Sequence, residues 1–378
     1  MAEVRLVEAT RLFRGMWKPA VDHVSLVAAD GGLLAVTGPS GSGKSTLLRM
    51  VAGLEPVDSG RLLLDGDDAA RTNPDKRGIS MLAQGFGLFP QLTVRENIAF
   101  PLSMRKNSAK TVAARTAAMA QRCGVAAALG ARTDALNFDQ RQRAMMARAL
   151  IGDPRVVLLD EPMAGFGVPS MMRGRTPIAT LQREFGITML YATCSSVDAL
   201  AIADLVAVLD RGVLHQIGAP AAIRDRPASV AVAEFVGSPP MNLIPAGVAE
   251  GFARVGDMRV KLSAHQSGAL SGDRVLVGLH AEDLSVSSSA AAQLQPAGVG
   301  GDVDEAGAGG LRAVAVLIRD SGREYLVHAR IDTPSGSADL VIRHSQGSPP
   351  VRGETLYLTA DTSRAHLFDP ATGRRLPD

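Results

Sequence analysis

Gly38-Pro39-Ser40-Gly41-Ser42-Gly43-Lys44-Ser45 follows the apolar run Leu33-Leu34-Ala35-Val36 and precedes Thr46-Leu47-Leu48-Arg49-Met50-Val51. The three pieces read as strand, tight loop and helix, which is the setting a phosphate-binding P-loop requires. Glycines let the backbone fold its N–H groups around a polyphosphate, and the following helix points its positive end at the same anion. Lys44 is placed to reach the outer phosphates and the Ser45 hydroxyl to sit on Mg²⁺. A Gly-Ser surface loop would match the glycines but not the strand and helix that flank them.

The 378 residues suit two domains better than one. Apolar residues make up 46% and aromatic residues 4%, so the cores are built from Ala, Val and Leu. A formal net charge of +2, with acids and bases interspersed, provides no basic stripe for a nucleic acid. Cys123 and Cys194 are far apart in sequence and make no disulfide framework, so a reducing, cytoplasmic setting is expected. Met1-Ala2-Glu3-Val4-Arg5 lacks the apolar stretch of a signal peptide. Val156-Val157-Leu158-Leu159 stops at Asp160, and no apolar run approaches bilayer length.

Residues 4–9 and 22–28 alternate apolar and polar, consistent with an opening antiparallel sheet. Between them, Phe13 and Trp17 either cover a sheet edge or offer a ring on which an adenine stacks. Asp58-Ser59-Gly60 reads as a turn before a short strand, Arg61-Leu62-Leu63-Leu64. Ile79-Ser80-Met81-Leu82-Ala83 is a strand ending at Gln84, followed by a Gly/Pro-interrupted loop with exposed Phe86 and Phe89. Residues 94–121 read as largely helical. The helix over 136–151 has a readable start, with Asn137 as N-cap, Gln140 at the third position as in a capping box, and Asp139 at the positive end. Thr176-Pro177 marks a new helix running to Phe185, and strands follow at 188–193 and 205–209 with a helix from Val197 between them. Strands alternating with helices predict an α/β domain with a mainly parallel sheet. A boundary is expected near Gly237-Ser238-Pro239-Pro240; beyond it, short strands separated by glycine turns predict a small all-β barrel. The Ser/Ala/Gly-rich stretch at about 285–310 reads as a mobile loop.

These motifs together resemble those of an ATP-binding subunit of an ABC importer. Val156-Val157-Leu158-Leu159-Asp160-Glu161 resembles a Walker B strand, and Gln84 before an aromatic-Pro loop resembles a Q-loop. Residues 136–150 stand where the signature helix belongs. Phe235-Val236-Gly237-Ser238-Pro239-Pro240-Met241-Asn242 and His366-Leu367-Phe368-Asp369 resemble the carbohydrate and glycerol-phosphate (maltose-type) branch. The resemblance implies an ABC ATPase domain over residues 1–238, with a helical subdomain at about 86–154, and an OB-like (TOBE) domain over 239–378. It implies that Phe13 stacks on adenine, and that Gly38, Pro39, Ser40, Gly41, Ser42, Gly43, Lys44, Ser45 and Thr46 hold the phosphates. Ser45, Gln84 and Asp160 would hold Mg²⁺, Glu161 would polarise the attacking water, and Gln84 would sense the γ-phosphate. The implied cofactors are ATP and Mg²⁺. The implied assembly is a head-to-tail homo- or heterodimer of ATPase subunits on the cytoplasmic face of the membrane, with two permease subunits and an extracytoplasmic solute-binding protein, and no nucleic acid.

Several positions depart from that pattern. The family signature Leu-Ser-Gly-Gly-Gln is here Leu136-Asn137-Phe138-Asp139-Gln140. Phe138 fills space that small residues leave open, and Asp139 puts a carboxylate where a partner's γ-phosphate should dock. Two like charges about 4 Å apart repel by about 1 kcal/mol in water and about 4 kcal/mol at an intermediate dielectric. Cys194 replaces the switch His, and a neutral thiol is a poor donor. Ala164-Gly165-Phe166-Gly167 lacks the D-loop carboxylate, and Gly174 and Pro177 interrupt the helix beyond it. His280-Ala281-Glu282 stands where the family has Arg-Pro-Glu. Two functions are therefore expected to compete: an ATPase coupled to sugar uptake, and a nucleotide-binding module impaired in hydrolysis.

Overall fold

The computed structural model describes residues 2–84, 87–105, 107–162, 177–287, 310–322, 324–333, 336–345 and 348–377. The chain divides into two compact units, Met1–Ile223 and Arg224–Asp378.

The first unit opens with β1 (Val4–Arg11) and β2 (Val21–Ala28), which pair antiparallel, and their buried positions alternate as the sequence pattern predicts. After β3 (Leu33–Thr37) and α1 (Lys44–Ala52), β4 (Ser59–Leu64) pairs back onto β1, and the short β5 (Asp67–Asp68) completes a four-stranded sheet. Ser59 and Gly60, expected as a turn, begin that strand; the β1–β4 register shifts beside them, and Gly60 has φ +81°.

The main sheet contains β6 (Ile79–Leu82), β7 (Val156–Asp160), β8 (Thr188–Thr193), β9 (Leu205–Asp210) and β10 (Val213–Gly218) with β3, in the order β10-β9-β3-β8-β7-β6. Every pairing is parallel except β10–β9. All residues of β3, β7 and β8 are buried, as expected of strands covered on both faces. Connecting helices include α5 (Pro177–Phe185) and α6 (Ser196–Ile202). Thr176 and the stretch 164–174 lie outside the described residues.

The helical subdomain comprises α2 (Val94–Ser103), α3 (Ala109–Arg122) and α4 (Phe138–Leu150), with α2 packed on both others. The largely helical stretch over 94–121 is formed by two helices, α2 and α3. Ser108 caps α3 by accepting from the Thr111 N–H, and the Asn107 amide bonds Leu102 O at the end of α2. Phe89 is half-buried rather than exposed: its ring meets Phe100 edge-on at 4.9 Å and carries the Arg148 guanidinium at 4.1 Å. Phe86 lies outside the described residues. Buried Asn97 ties this loop down, accepting from Phe89 N at 2.7 Å and donating to the carbonyls of Phe89, Leu92 and Thr93.

The C-terminus of α1 is held by Arg77, which is 4% exposed. Its guanidinium donates to Met50 O (2.9 Å), Val51 O (2.8 Å), Thr72 O (2.8 Å) and Ala70 O (3.3 Å). It thereby gives Val51 O a donor and Met50 O a second one beside the capping Gly53 N–H, at a helix end whose carbonyls lack the full helical ladder. Replacing Arg77 with Met strands these buried acceptors, so we expect the first unit to lose about 2–4 kcal/mol. A urea midpoint unchanged from wild type would contradict this role.

The second unit is all-β apart from short helices. After α7 (Pro220–Asp225) and α8 (Val230–Phe235), β11 (Asn242–Ala249), β12 (Phe252–Val255), β13 (Met258–Lys261), β14 (Arg274–Leu279) and β20 (His366–Phe368) form one antiparallel sheet, with α9 (Ala264–Ala269) before β14. A second antiparallel sheet holds β15 (Leu284–Ser287), β16 (Leu311–Asp320), β17 (Tyr325–Thr333), β18 (Gly336–His344) and β19 (Thr355–Ala360). Their inner faces share one core, including Val277, Leu279, Val327, Leu340 and Leu358. The unit begins earlier than residue 239: Val230 N donates to Gly373 O and Arg375 N to Ala228 O, which ties residues 228–230 to the chain's end. Residues 288–309, the core of the stretch read as a loop, lie outside the described residues.

Candidate functional site

The register of the main sheet assembles the site. Val36 pairs with Ala192, Thr37 with Thr193, and Asp160 with Ala192, so β3, β7 and β8 end side by side. β6 joins at the same edge through Leu82 and Leu159. The loops leaving the carboxyl ends of these strands carry residues 38–43, Gln84, Glu161 and Cys194, and such an edge is where open α/β sheets bind ligands.

Two glycines of the first loop are required by space. Gly43, the N-cap of α1, has φ +104°, and a Cβ there would lie 2.2 Å from Ala20 O. A Cβ on Gly38 would lie 1.9 Å from Leu209 O. The first turn of α1 holds no acidic residue, so nothing offsets the positive end of the helix. Lys44 is 5% exposed and arches over the loop, its Nζ donating to Gly38 O and Pro39 O, both at 2.8 Å, and to Ser42 Oγ at 3.3 Å.

The adjacent corner supplies hard oxygen donors. Ser45 Oγ donates to Asp160 Oδ1 at 2.9 Å, Asp160 is 1% exposed, and its Oδ2 is buried without a partner. Burial pushes the Asp160 carboxyl above the ordinary range; the Ser45 hydrogen bond pulls it back, the Glu161 charge adds to the rise, and the Arg49 and Lys44 charges oppose it. An orphaned carboxylate oxygen beside a hydroxyl fits a small divalent cation.

Glu161 adopts φ +46°, a left-handed conformation uncommon for a residue with a side chain. Its N–H donates to Ala192 O at 2.9 Å, locking the turn to β8, and its Oε1 is buried without a partner. Unpaired and strained groups of this kind concentrate where a chain does chemistry. Cys194, far from any base in sequence, lies in space beside Glu161 and near Lys44. Burial first, and then the neighbouring Glu161, raise the thiol above its ordinary range, while Lys44 opposes the rise. The exposed Cys194 therefore stays protonated at neutral pH, and we expect iodoacetamide to label it more slowly than free cysteine at pH 8, with the rate rising as pH increases further. Cys123, buried and pushed up to about 12, stays silent. Labelling at the free-cysteine rate would contradict this environment.

Asp198 was not singled out from the sequence. Its Oδ2 is buried without a partner; burial raises its carboxyl, the Ser195 hydrogen bond opposes that, and the Glu161 charge adds to it. The only sequence signal is Ser195, whose hydroxyl caps α6 by accepting from Asp198 N at 3.2 Å.

Gln84 is exposed immediately after β6. Beside it, a cavity of about 290 Å³ runs between the main sheet and the helical subdomain, lined by Leu82, Gly87, Arg141, Met145, Glu161 and Pro162 among others. Phe13 is half-buried, with the Arg11 guanidinium 4.5 Å from its ring centroid. Arg11 is itself fixed by Glu55 at 2.9 Å and Asp58 at 3.0 Å. Trp17 is 85% exposed beside Lys18.

At the start of α4 the capping box forms as expected: Gln140 N donates to Asn137 Oδ1 at 2.9 Å, and Asn137 N to Gln140 Oε1 at 3.1 Å. Asp139 is not a bare carboxylate, because Arg143 Nε holds its Oδ2 at 2.6 Å one turn on. The hydrogen bonds of Asn137, Asp139 and Gln140 stay within α4 and its cap, and Phe138 is half-buried. The D-loop positions 164–167 lie outside the described residues. Among the described residues, no helix is long and apolar enough to cross a membrane.

Comparison with known proteins agrees with this geometry. Residues 21–164 match the ABC transporter family model, and residues 237–284 match that of the MalK OB fold domain. The diacetylchitobiose uptake system ATP-binding protein MsiK of Streptomyces coelicolor is 35% identical, with all of both chains covered. The trehalose/maltose import ATP-binding protein MalK of Thermococcus litoralis is 34% identical, again over all of both chains. The sn-glycerol-3-phosphate import ATP-binding protein UgpC of Cereibacter sphaeroides is likewise 34% identical over full length. A solved nucleotide-free ATP-binding cassette from an ABC transporter shares the fold of the first unit, with a TM-score of 0.50 and 23% identity over 58% of this chain and 92% of that one.

Proposed function

Because the chain belongs to the family of ABC-importer ATP-binding proteins, we propose that it couples Mg·ATP binding and hydrolysis to uptake of a sugar or sugar-like solute through partner permeases. The observation that carries this reading is the Ser45–Asp160 pair, with Asp160 Oδ2 buried and unpartnered at the end of an intact glycine loop. Mg²⁺ held by Ser45 and Asp160, with Gln84 beside them, would neutralise charge on the β- and γ-phosphates. Lys44 turns from the loop carbonyls to those phosphates, and the amides of residues 38–46 cradle them. The half-buried ring of Phe13 stacks on the adenine. Glu161, fixed by its turn and with one oxygen unpaired, polarises the attacking water. Gln84 senses the γ-phosphate at the mouth of the cavity, which suits the docking of a permease helix. Cys194, beside Glu161, stands in the place of the switch residue.

The names of the relatives support import of carbohydrate or glycerol phosphate. We infer assembly as a dimer of ATPase subunits with two permeases on the cytoplasmic membrane face, fed by an extracytoplasmic solute-binding protein, as the family resemblance implies. Equilibrium binding of ATP with and without Mg²⁺ tests the nucleotide site: we expect saturable binding that weakens when Mg²⁺ is removed or Asp160 is changed to Ala. Binding indifferent to both would overturn the assignment of that corner.

A further inference from the structure

We propose that the corner where α2 turns into α3 lies against an anionic lipid surface, a membrane contact made by this chain itself. Charges nearly cancel over the whole chain, but residues 97–133 hold six Lys or Arg and no Asp or Glu. Such an asymmetry within one segment marks a polyanionic partner. The fold brings part of it to one exposed corner. Every described residue from Ser103 to Thr111 is exposed. Arg105, just past the end of α2, and Lys110, in the first turn of α3, stand in that run. Neither has a carboxylate partner among the described residues; Arg105 reaches only Gly152 O, at 3.5 Å. Arg115, further along α3, is instead held by Asp153 and donates to Ile151 O at 3.0 Å. The first turn of α3 has no acidic residue, so Lys110 stands unrelieved at the positive end of the helix. That placement is unfavourable in water and becomes favourable beside an anionic surface.

An apolar side chain lies among these cations. Met104 is 67% exposed, and Phe100, one turn earlier on the same side of α2, is 36% exposed. Between Lys110 and Arg122 the exposed residues of α3 are Thr111, four alanines and Gln121, so no long side chain holds the helix off a flat surface. A polynucleotide would use the same cations but has no use for an exposed methionine. A lipid surface takes both, the cations at the headgroup phosphates and Met104 at the boundary with the acyl chains. The corner is separate from the nucleotide loop, and its failure as a lipid contact would leave the nucleotide-site reading untouched.

The test is co-sedimentation of the full-length chain, without ATP, with vesicles of phosphatidylcholine alone and of phosphatidylcholine mixed with phosphatidylglycerol. The chain is expected to bind the mixed vesicles and not the neutral ones. It should come off as salt rises, because exposed charges are screened beyond about 10 Å at about 0.1 M salt. Each cation near an anionic surface contributes about fivefold, so Arg105→Gln with Lys110→Gln lowers the partition about 30-fold. Met104→Ser lowers it at unchanged charge, whereas Arg105→Lys with Lys110→Arg keeps it. These side chains are exposed, and a cooperative melt as in wild type checks that each variant is folded. Equal binding to neutral vesicles, no binding to either kind, or wild-type binding by the double Gln variant or by Met104→Ser overturns the proposal. So does tighter binding to duplex DNA than to the mixed vesicles, which would assign the cations to a nucleic acid.

Discussion

Changing Lys44 to Ala lowers Mg·ATP affinity by about 100-fold or more. The ammonium makes three short hydrogen bonds within the loop and is the one buried cation among the described residues of that loop. Two charge-assisted bonds transferred to phosphate oxygens are each worth about 1.5–3 kcal/mol, so losing both removes at least about 3 kcal/mol. The same change leaves the Gly38 and Pro39 carbonyls without their donor, so it also lowers stability. A thermal melt separates the two effects, because the binding loss persists at temperatures where the variant remains folded. Titration showing affinity within threefold of wild type would mean that the loop does not hold the phosphates.

Glu161→Gln has the second large effect, on turnover rather than binding. The amide is isosteric, so the left-handed turn and its hydrogen bond to Ala192 O are kept, while the acceptor for a water proton is lost. Removing a positioned general base commonly costs about 10²–10⁴ in rate. Steady-state phosphate release by the assembled transporter should fall by that factor, while Mg·ATP binding stays within a few-fold of wild type. A loss under tenfold would move the catalytic role away from Glu161.

What was legible in the sequence is what depends on neighbours along the chain. Strand, glycine loop and α1 follow from one continuous stretch, and the capping box of Asn137 and Gln140 needs only three residues of spacing. The break between α2 and α3 falls in a polar stretch with no glycine, and it is marked by the Ser108 cap and the Asn107 amide. The Asp139–Arg143 pair has plain i, i+4 spacing and is legible along the chain. Cys194 against Glu161, and Asp198 behind them, could not have been read, because β7 and β8 bring them together across more than thirty residues of chain. Arg77 at the end of α1 is a similar case: a basic residue in a polar stretch, two of whose carbonyl partners, Met50 and Val51, belong to another element. The tail's sheets were legible as strands, but the tie between residues 228–230 and the chain's end, which starts the second unit earlier, is long-range.

We propose that ATP turnover at this chain's P-loop drives solute uptake through a membrane partner. The most direct measurement follows phosphate release and solute accumulation together in vesicles containing the reconstituted importer. Both are expected to depend on Mg·ATP and to fall together when Glu161 is changed to Gln. Uptake that continues undiminished in that variant would contradict it.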